Sequence, residues 1–219
     1  MNAGNKSSDQ ETRARLLETA GRVFAEKGFR AATVREICSA AGANIAAVNY
    51  HFGDKSGLHA QAVQYWASIA HRKYPLEIVS KSDSSAEERL RLFVRSFLLR
   101  LLDESRPSWH AKLMAREMAE PTPALTKAVN RYYRPVVAQL GDIVREVMGN
   151  KFSDSAVSRT VNSILGQCLY YHFARPIILQ LTPGQRFDLP EIEQLARHIA
   201  EFSLAALKGL PAKKAGRAR

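Results

Sequence analysis

Residues 34–52, VREICSAAGANIAAVNYHF, contain two short helical patterns joined by alanine and glycine. Thr33 lies three residues before a glutamate, a capping-box pattern that opens the first helix. Gly42 supplies the positive φ that a tight turn between two steeply crossed helices needs. Asn44 is a good N-cap for a second helix that runs to about Tyr50. The stretch therefore predicts a helix-turn-helix.

The side chains around this joint fit the same geometry. Cys38 stands where the two helices nearly touch, which favours a small core residue over a redox sensor. Ile37 and Val48 are spaced to meet in a shared core. Three alanines keep the joint tight, namely Ala40, Ala41 and Ala43.

Helical periodicity continues on both sides of this stretch. The preceding helix has an amphipathic face that stops at Gly28 and is formed by Leu16, Leu17, Ala20, Val23 and Phe24. The following helix is capped by Asp54 or Ser56 and stopped by Pro75. Further helices are predicted near residues 85–104, 107–119, 122–149, 154–181 and 188–208, separated by turn-rich segments. No stretch alternates as a strand does, so the predicted fold class is all-α.

The pattern divides the chain into four predicted parts. Residues 1–9 form a disordered N-terminus, and residues 10–56 form a three-helix domain built on the helix-turn-helix. Residues 57–208 form a second helical domain, and residues 209–219 form a disordered basic tail. With 219 residues, of which 46% are hydrophobic, the chain can bury a real core and is not disordered as a whole.

Charge and targeting signals narrow the class of partner. The formal net charge of +11 favours an anionic partner, either nucleic acid or a membrane surface. Part of this charge lies at the end of the chain, in Lys208, Lys213, Lys214, Arg217 and Arg219. The net charge therefore supports a nucleic-acid partner only together with a binding motif. The N-terminus has no signal peptide, and no run of about 18 apolar residues predicts a membrane span or a membrane partner. Cys38 and Cys168 form no CxxC pair, which is typical of a reduced, cytoplasmic chain.

The second short helix predicts a surface for duplex DNA. Its small or amide side chains let the backbone approach base edges in a major groove, while hydroxyl, imidazole and ammonium groups contact phosphates. The predicted DNA contacts are Thr33, Asn44, Ile45, Ala46, Asn49, Tyr50, His51 and Lys55. Four of them have a structural alternative. Tyr50 would also fit an aromatic corner, His51 an exposed turn and Lys55 a solvated helix start, while Asn44 is already explained as an N-cap.

The segment GFRAATVREICSAAGANIAAVNYHFGDKSGL resembles the N-terminal DNA-binding domain of the TetR family of transcriptional regulators. The likeness covers about residues 10–60 and rests on Gly28, Phe29, Thr33, Val34, Ile37, Ala41, Gly42, Tyr50, Phe52, Lys55 and Leu58. Cys38 replaces a common alanine, and residues 44–47 depart from the usual start of the second helix, so no operator sequence carries over. The stretches NIAAVNYHFGDKSGL and REMAEPTPAL are similar to the CecR (YbiH)-like subgroup. That resemblance implies control of transport or drug-efflux genes.

Aromatic residues with a few polar groups mark a candidate effector pocket in the second half of the chain. The candidates are Trp109, His110, Leu113, Met114, Glu117, Tyr132, Tyr133, Cys168, Tyr171 and His172. The alternative is that such residues at helical spacing form core. His110 and His172 lack an H-x-x-x-H partner, so we expect no metal, and no cofactor motif is present.

The last two long helices carry apolar stripes broad enough to be buried on more than one side. Pairing them with a second copy would form a four-helix bundle across a two-fold axis. A homodimer would also place two recognition helices in successive major grooves of a palindromic operator.

The leading hypothesis is a homodimeric, DNA-binding transcriptional regulator, with repression favoured over activation, that a small-molecule effector releases from its operator. Residues 10–56 would be its DNA-binding domain, and residues 57–208 its effector-binding and dimerisation domain. A non-specific architectural DNA-binding protein is an alternative that the basic tail would suit. A helical enzyme is a further alternative, but no nucleophile-and-base, Walker, H-E-x-x-H or Rossmann pattern is present.

Overall fold

The computed structural model describes residues 3–76, 84–102, 109–149 and 152–210. These residues contain helices and no strand, which confirms the all-α prediction. The helices are α1 (Ala3–Ala31), α2 (Val34–Ala41), α3 (Ile45–Phe52), α4 (Lys55–Lys73), α5 (Ala86–Leu102), α6 (Trp109–Ala119), α7 (Pro123–Ala128), a π-helical turn (Val129–Tyr133), α8 (Arg134–Met148), α9 (Asp154–Phe173), α10 (Arg175–Leu181) and α11 (Leu189–Gly209). Within the described ranges, no helix is long and apolar enough to cross a membrane.

The helices divide into two compact units. The N-terminal unit comprises residues 1–69 and 105–133, and the C-terminal unit comprises residues 70–104 and 134–219. The predicted boundary between residues 56 and 57 does not coincide with this division, because α6, α7 and most of α4 lie in the same unit as the helix-turn-helix.

The core of the N-terminal unit joins α1 to the helix-turn-helix and to α4 and α6. Its fully buried side chains include Leu16, Leu17, Phe24, Ile37, Val48, Leu58 and Leu113. All five residues of the predicted apolar face of α1 are buried. α1 is interrupted at Gly28, whose φ of 79° and ψ of 168° are not helical. The predicted stop at this glycine is therefore a kink, after which one more turn ends at Ala31.

Local hydrogen bonds fix the two helices of the helix-turn-helix. The Thr33 hydroxyl accepts the Glu36 N–H at 3.2 Å, and Asn44 Oδ1 accepts the Ala47 N–H at 2.8 Å. Gly42 has a φ of 60° and donates its N–H to the end of α2. The predicted caps are confirmed, but the capping box is one-sided, because the Glu36 carboxylate pairs with Lys27. Of the two candidate caps for α4, Asp54 is used, since its Oδ1 accepts the Gly57 N–H at 2.7 Å.

The start of α1 differs from the prediction. Residues 3–9 are helical, although residues 1–9 were expected to be disordered. Two contacts tie this polar turn down: the Thr12 hydroxyl donates to the Ser8 carbonyl at 2.9 Å, and Asp9 Oδ1 lies 3.4 Å from His51 Nε2 on α3. Most of the predicted basic tail, residues 211–219, lies outside the described residues.

The C-terminal unit has a core of its own, formed by α5, α8, α9 and α11. Ion pairs join α5 to α11, with Arg95 Nε 2.8 Å from Glu193 Oε2 and Arg91 Nε 2.7 Å from Glu201 Oε1. Two predicted single helices are interrupted. The helix over 154–181 breaks at Ala174 because Pro176 lacks the N–H that a helix interior requires. The helix over 122–149 contains the π-helical turn, where the hydrogen-bond register widens by one residue.

Candidate DNA-binding surface

α3 has one side packed in the core of the N-terminal unit and a row of exposed side chains on the rest of its surface. Val48 and Phe52, one turn apart, are buried in the core of the N-terminal unit. Ile45, Ala46, Asn49 and Tyr50 are exposed. Because an α-helix turns by about 100° per residue, Ile45 and Asn49 flank the buried face, whereas Ala46 and Tyr50 lie on the side away from it. Tyr50 is 77% exposed and Ile45 is 45% exposed. Two large side chains therefore stand in solvent on a short helix.

Thr33 and Asn44 lie at the N-termini of α2 and α3, where their side-chain oxygens cap the helices. Each helix cap uses only part of the hydrogen-bonding capacity of its side chain. The Thr33 hydroxyl keeps its proton to donate, and the Asn44 cap does not use the Nδ2 amino group. Both residues can therefore contact DNA while they still hold their helices.

His51 is placed differently from the other candidate contacts. Only 7% of its side chain is exposed, and Nε2 faces Asp9 Oδ1 on α1. Its ring also lies against the rings of Tyr50 and Phe52, with centroid distances of 4.9 and 5.8 Å. This position favours a role in holding α1 to α3, and contact with a phosphate would require the contact with Asp9 to open.

Lys55, in the first turn of α4, contacts the C-terminal end of α1. Its Nζ donates to the Arg30 carbonyl at 3.1 Å and lies 4.8 Å from the centroid of the Phe29 ring. An ammonium group has three donors, so this contact leaves two for other acceptors. Arg35, which was not among the predicted contacts, is exposed in the first turn of α2, two residues after Thr33. Its basic side chain at the start of this helix, close to the predicted contact Thr33, was the available signal.

A buried acid–imidazole pair joins α4 to α6, and sequence analysis did not foresee it. His59 and Glu117 are each 2% exposed, and His59 Nε2 lies 3.2 Å from Glu117 Oε1. Glu117 Oε2 accepts the Thr122 hydroxyl at 2.8 Å. Burial, assisted by the positive charge of Lys55, lowers the pKa of His59 to about 4. At neutral pH the imidazole is therefore uncharged and donates its Nε2–H to the carboxylate.

Arg116 fastens α6 to the kinked end of α1. Its Nε donates to the Ala25 carbonyl at 2.8 Å, and its Nη2 donates to the Glu26 carbonyl at 2.7 Å. Together with the bond from Lys55 to the Arg30 carbonyl, these contacts place charged side chains of α4 and α6 on backbone carbonyls on both sides of the kink in α1. Two other helices therefore hold the end of α1 within the N-terminal unit.

The candidate effector contacts are divided between the two units. Trp109, His110, Leu113, Met114, Glu117, Tyr132 and Tyr133 belong to the N-terminal unit, and Cys168, Tyr171 and His172 belong to the C-terminal unit. In the first group, Trp109 and Leu113 are buried in the core, and Glu117 is engaged by His59 and Thr122.

In the second group, Cys168 is a core residue whose pKa burial raises to about 12. His172 Nδ1 lies 3.0 Å from the Leu101 carbonyl oxygen, and Tyr171 packs against the core. Several candidates thus have structural roles, and an effector pocket stays a prediction. Among the residues described, no group of three or more His, Cys, Asp or Glu could hold a metal ion.

Comparison with known proteins identifies the family. Residues 16–62 match the family model of bacterial regulatory proteins, tetR family. Residues 86–207, more than half of the chain, match the C-terminal domain of the HTH-type transcriptional dual regulator CecR. The chain belongs to the TetR family. The second match confirms the CecR-like subgroup, and TetR-family members of this kind are transcriptional regulators rather than enzymes.

Relatives agree with this assignment to the TetR family over nearly the whole chain. CecR of Shigella flexneri is 24% identical over 209 residues, which cover 92% of this chain and 93% of CecR. The structure of AibR in complex with isovaleryl coenzyme A and operator DNA matches with a TM-score of 0.63 at 20% identity, covering 87% of this chain and 97% of that one. FadR from Bacillus subtilis in complex with stearoyl-CoA matches with a TM-score of 0.64 at 15% identity, covering 88% and 97%. At these identities the two structures establish the fold.

Proposed function

We propose that this TetR-family chain is a ligand-responsive repressor that binds a palindromic operator as a homodimer and leaves it when a small-molecule effector binds. The observation that carries the proposal is the exposed row on α3, standing on the buried Val48 and Phe52. A short helix with a packed base and exposed small, amide and phenolic side chains fits a major groove.

The contacts with DNA are of two kinds. Asn44, Ile45, Ala46 and Asn49 approach base edges, because they lie at or near the N-terminus of α3 and carry no bulky charged group. The hydroxyls of Thr33 and Tyr50, with the Lys55 ammonium, contact phosphates on either side. His51 joins them only if it leaves Asp9. Binding should therefore combine a salt-dependent phosphate component with a salt-independent base component.

A homodimer is supported by the exposed apolar side chains of the C-terminal unit. α9, α10 and α11 expose Tyr170, Phe173, Ile177, Leu181 and Phe202, and these residues lie on the helices predicted to pair with a second copy. Large apolar residues concentrated on neighbouring helices are typical of an interface. An operator that two such helices read would have two half-sites one helical turn of DNA, or a multiple of it, apart.

The effector would act by shifting an equilibrium between two conformations. It must bind the conformation that does not fit DNA more tightly than the one that does, and this difference in affinity limits the degree of release. Because AibR and FadR were solved with acyl-coenzyme A molecules, such thioesters are the first effectors to test. By resemblance to the CecR-like subgroup, the regulated genes include transport or efflux genes, and the protein acts in the cytoplasm.

The test is a fluorescence-anisotropy titration of the full chain against the duplex upstream of its own gene and against a scrambled duplex. We expect tighter binding to the upstream duplex, an affinity that falls with salt, and release by an effector. Asn49→Ala should reduce the preference for the upstream duplex, whereas Thr126→Ala, an exposed change on α7, should leave it unchanged. Equal affinity for both duplexes would contradict the proposal.

The basic tail supports one alternative, a non-specific architectural DNA-binding protein. Removing residues 210–219 takes away four cations, Lys213, Lys214, Arg217 and Arg219. A repressor should lose little preference between the two duplexes on this truncation. Loss of all binding on truncation, with no preference beforehand, would favour the architectural function.

A further inference from the structure

The base-facing row of α3 has an unusual chemical composition. In this helix, every residue of which the structure describes, there is no arginine, lysine, aspartate or glutamate. Arginine or lysine reads guanine in the major groove, and a carboxylate reads cytosine. The row instead consists of Ile45, Ala46 and Asn49, followed by Tyr50 on the outermost side.

Ile45 and Ala46 form a small apolar surface at the start of α3. Both are exposed, and Ile45 keeps 45% of its surface in solvent. Val48, three residues after Ile45, is by contrast fully buried in the core of the unit. In the major groove the only apolar group at a base edge is the C5-methyl group of thymine.

Asn49 lies one turn after Ile45 on the same side of α3. Its carboxamide offers one acceptor and one donor side by side, which match N6–H and N7 of adenine. Its backbone carbonyl accepts the Gly53 N–H at 3.1 Å, and its side chain is exposed to solvent. The group is therefore available to a base.

From this juxtaposition we infer that α3 reads thymine through its C5-methyl group, with Ile45 and Ala46, and adenine through its N6 and N7, with Asn49. Four residues of α-helix advance by about 6 Å, which is less than two base-pair steps of about 3.4 Å. The two bases therefore lie in neighbouring pairs or one pair apart, once in each half-site. This inference rests on the proposed function, and it specifies which bases α3 recognises.

The experiment starts from a library of random duplexes, from which the full-length protein selects its preferred palindrome. Each thymine of this duplex is then replaced by deoxyuridine, which removes only the methyl group, and each adenine by 7-deazaadenine, which removes only N7. We expect one thymine and one adenine per half-site at which binding weakens about fivefold or more. The affinities are measured by anisotropy at fixed salt.

Variants assign these effects to side chains. In Ile45→Ala the deoxyuridine penalty should shrink, because only the Ala46 methyl still meets the thymine, while the 7-deazaadenine penalty remains. In Asn49→Ala the 7-deazaadenine penalty should disappear while the deoxyuridine penalty remains. Tyr50→Phe, placed at a phosphate, should weaken all duplexes by the same factor and keep both penalties. Because these side chains are exposed on α3, thermal melting should show unchanged folding.

The outcomes separate this inference from the function on which it rests. If a palindrome is selected but no deoxyuridine weakens binding, or if the penalties persist undiminished in Ile45→Ala and Asn49→Ala, the inference is wrong and the repressor remains. If no sequence is enriched and all duplexes bind alike, the proposed function itself fails. Coupled reduction or loss of each penalty with its own side chain would establish the inference.

Discussion

His59 and Glu117 are buried side by side in the N-terminal unit, with His59 Nε2 and Glu117 Oε1 3.2 Å apart. The pKa of His59 is about 4 in the folded protein, below the ordinary value of 6.5, because burial and the nearby Lys55 disfavour the imidazolium. As the pH falls, the unfolded chain takes up this proton first. The free energy of unfolding contributed by His59 is therefore complete above about pH 6.5 and is lost as the pH falls towards 4.

We predict that the free energy of unfolding decreases by about 2–3 kcal/mol from this residue between pH 6.5 and 4. His59→Gln keeps an N–H donor near Glu117 but cannot titrate, so its stability should depend less on pH in this window. Urea unfolding followed by circular dichroism at several pH values measures the difference. The same pH dependence in both proteins would show that His59 does not carry the effect.

The pair of His59 and Glu117 also shows which single-residue interactions could not be predicted from the sequence. The caps at Thr33 and Asn44 were predictable, because each depends on hydrogen bonds within three residues. His59 and Glu117 are far apart in sequence, and only the packing of α4 against α6 brings them together. Glu117 was singled out as an effector contact because it lies in an aromatic-rich segment, whereas its partners are His59 and Thr122.

At the scale of elements, the kink in α1 depends on Gly28. Its φ of 79° is costly for any residue with a side chain, and a Cβ added there would lie 3.1 Å from Arg116 Nη1. The same guanidinium group holds the carbonyls of Ala25 and Glu26, so it cannot move away without breaking those bonds. Conformation and space therefore both require glycine at this position.

We predict that Gly28→Ala lowers the free energy of unfolding by about 1–2 kcal/mol. The matched control is Gly141→Ala in the middle of α8, where a Cβ would meet nothing within 4 Å and φ is negative. There alanine should stabilise the protein by about 0.5–1 kcal/mol, because it favours the helix. Thermal or urea unfolding measures both changes, and a neutral Gly28→Ala would mean that the kink is not constrained.

Helix positions followed from periodicity and turn residues, but two interruptions did not. The break at Ala174 could have been found, because Pro176 lies inside the predicted helix and cannot donate a hydrogen bond. The π-helical turn at Val129–Tyr133 has no comparable local signal, since it arises from a shift in hydrogen-bond register rather than from a breaking residue.

At the scale of the whole molecule, the proposed dimer rests on α9, α10 and α11. Phe202 is 60% exposed on α11, and it lies on one of the two helices expected to face a second copy. A charge introduced there would remain solvated in a monomer but would be buried without a partner in a dimer. The interface should therefore be sensitive to a single acidic substitution.

We predict that Phe202→Asp shifts the protein from dimer to monomer in sedimentation equilibrium and weakens operator binding at least tenfold. Leu92→Asp is the control, because Leu92 is a similarly apolar and 42% exposed residue on α5, outside the proposed face. It should leave the mass and the affinity unchanged. A dimer that survives Phe202→Asp would place the interface elsewhere.

Recognition of the operator, as we propose it, requires two copies of α3 in the major groove of one duplex. The most direct measurement attaches an iron–chelate cleavage reagent at Ser56→Cys, an exposed position beside Lys55, on a protein whose two native cysteines are buried. On the selected palindrome we expect two clusters of strand cleavage, related by the two-fold axis and separated by one helical turn or a multiple of it. Uniform cleavage along the duplex, or the same pattern on scrambled DNA, would contradict it.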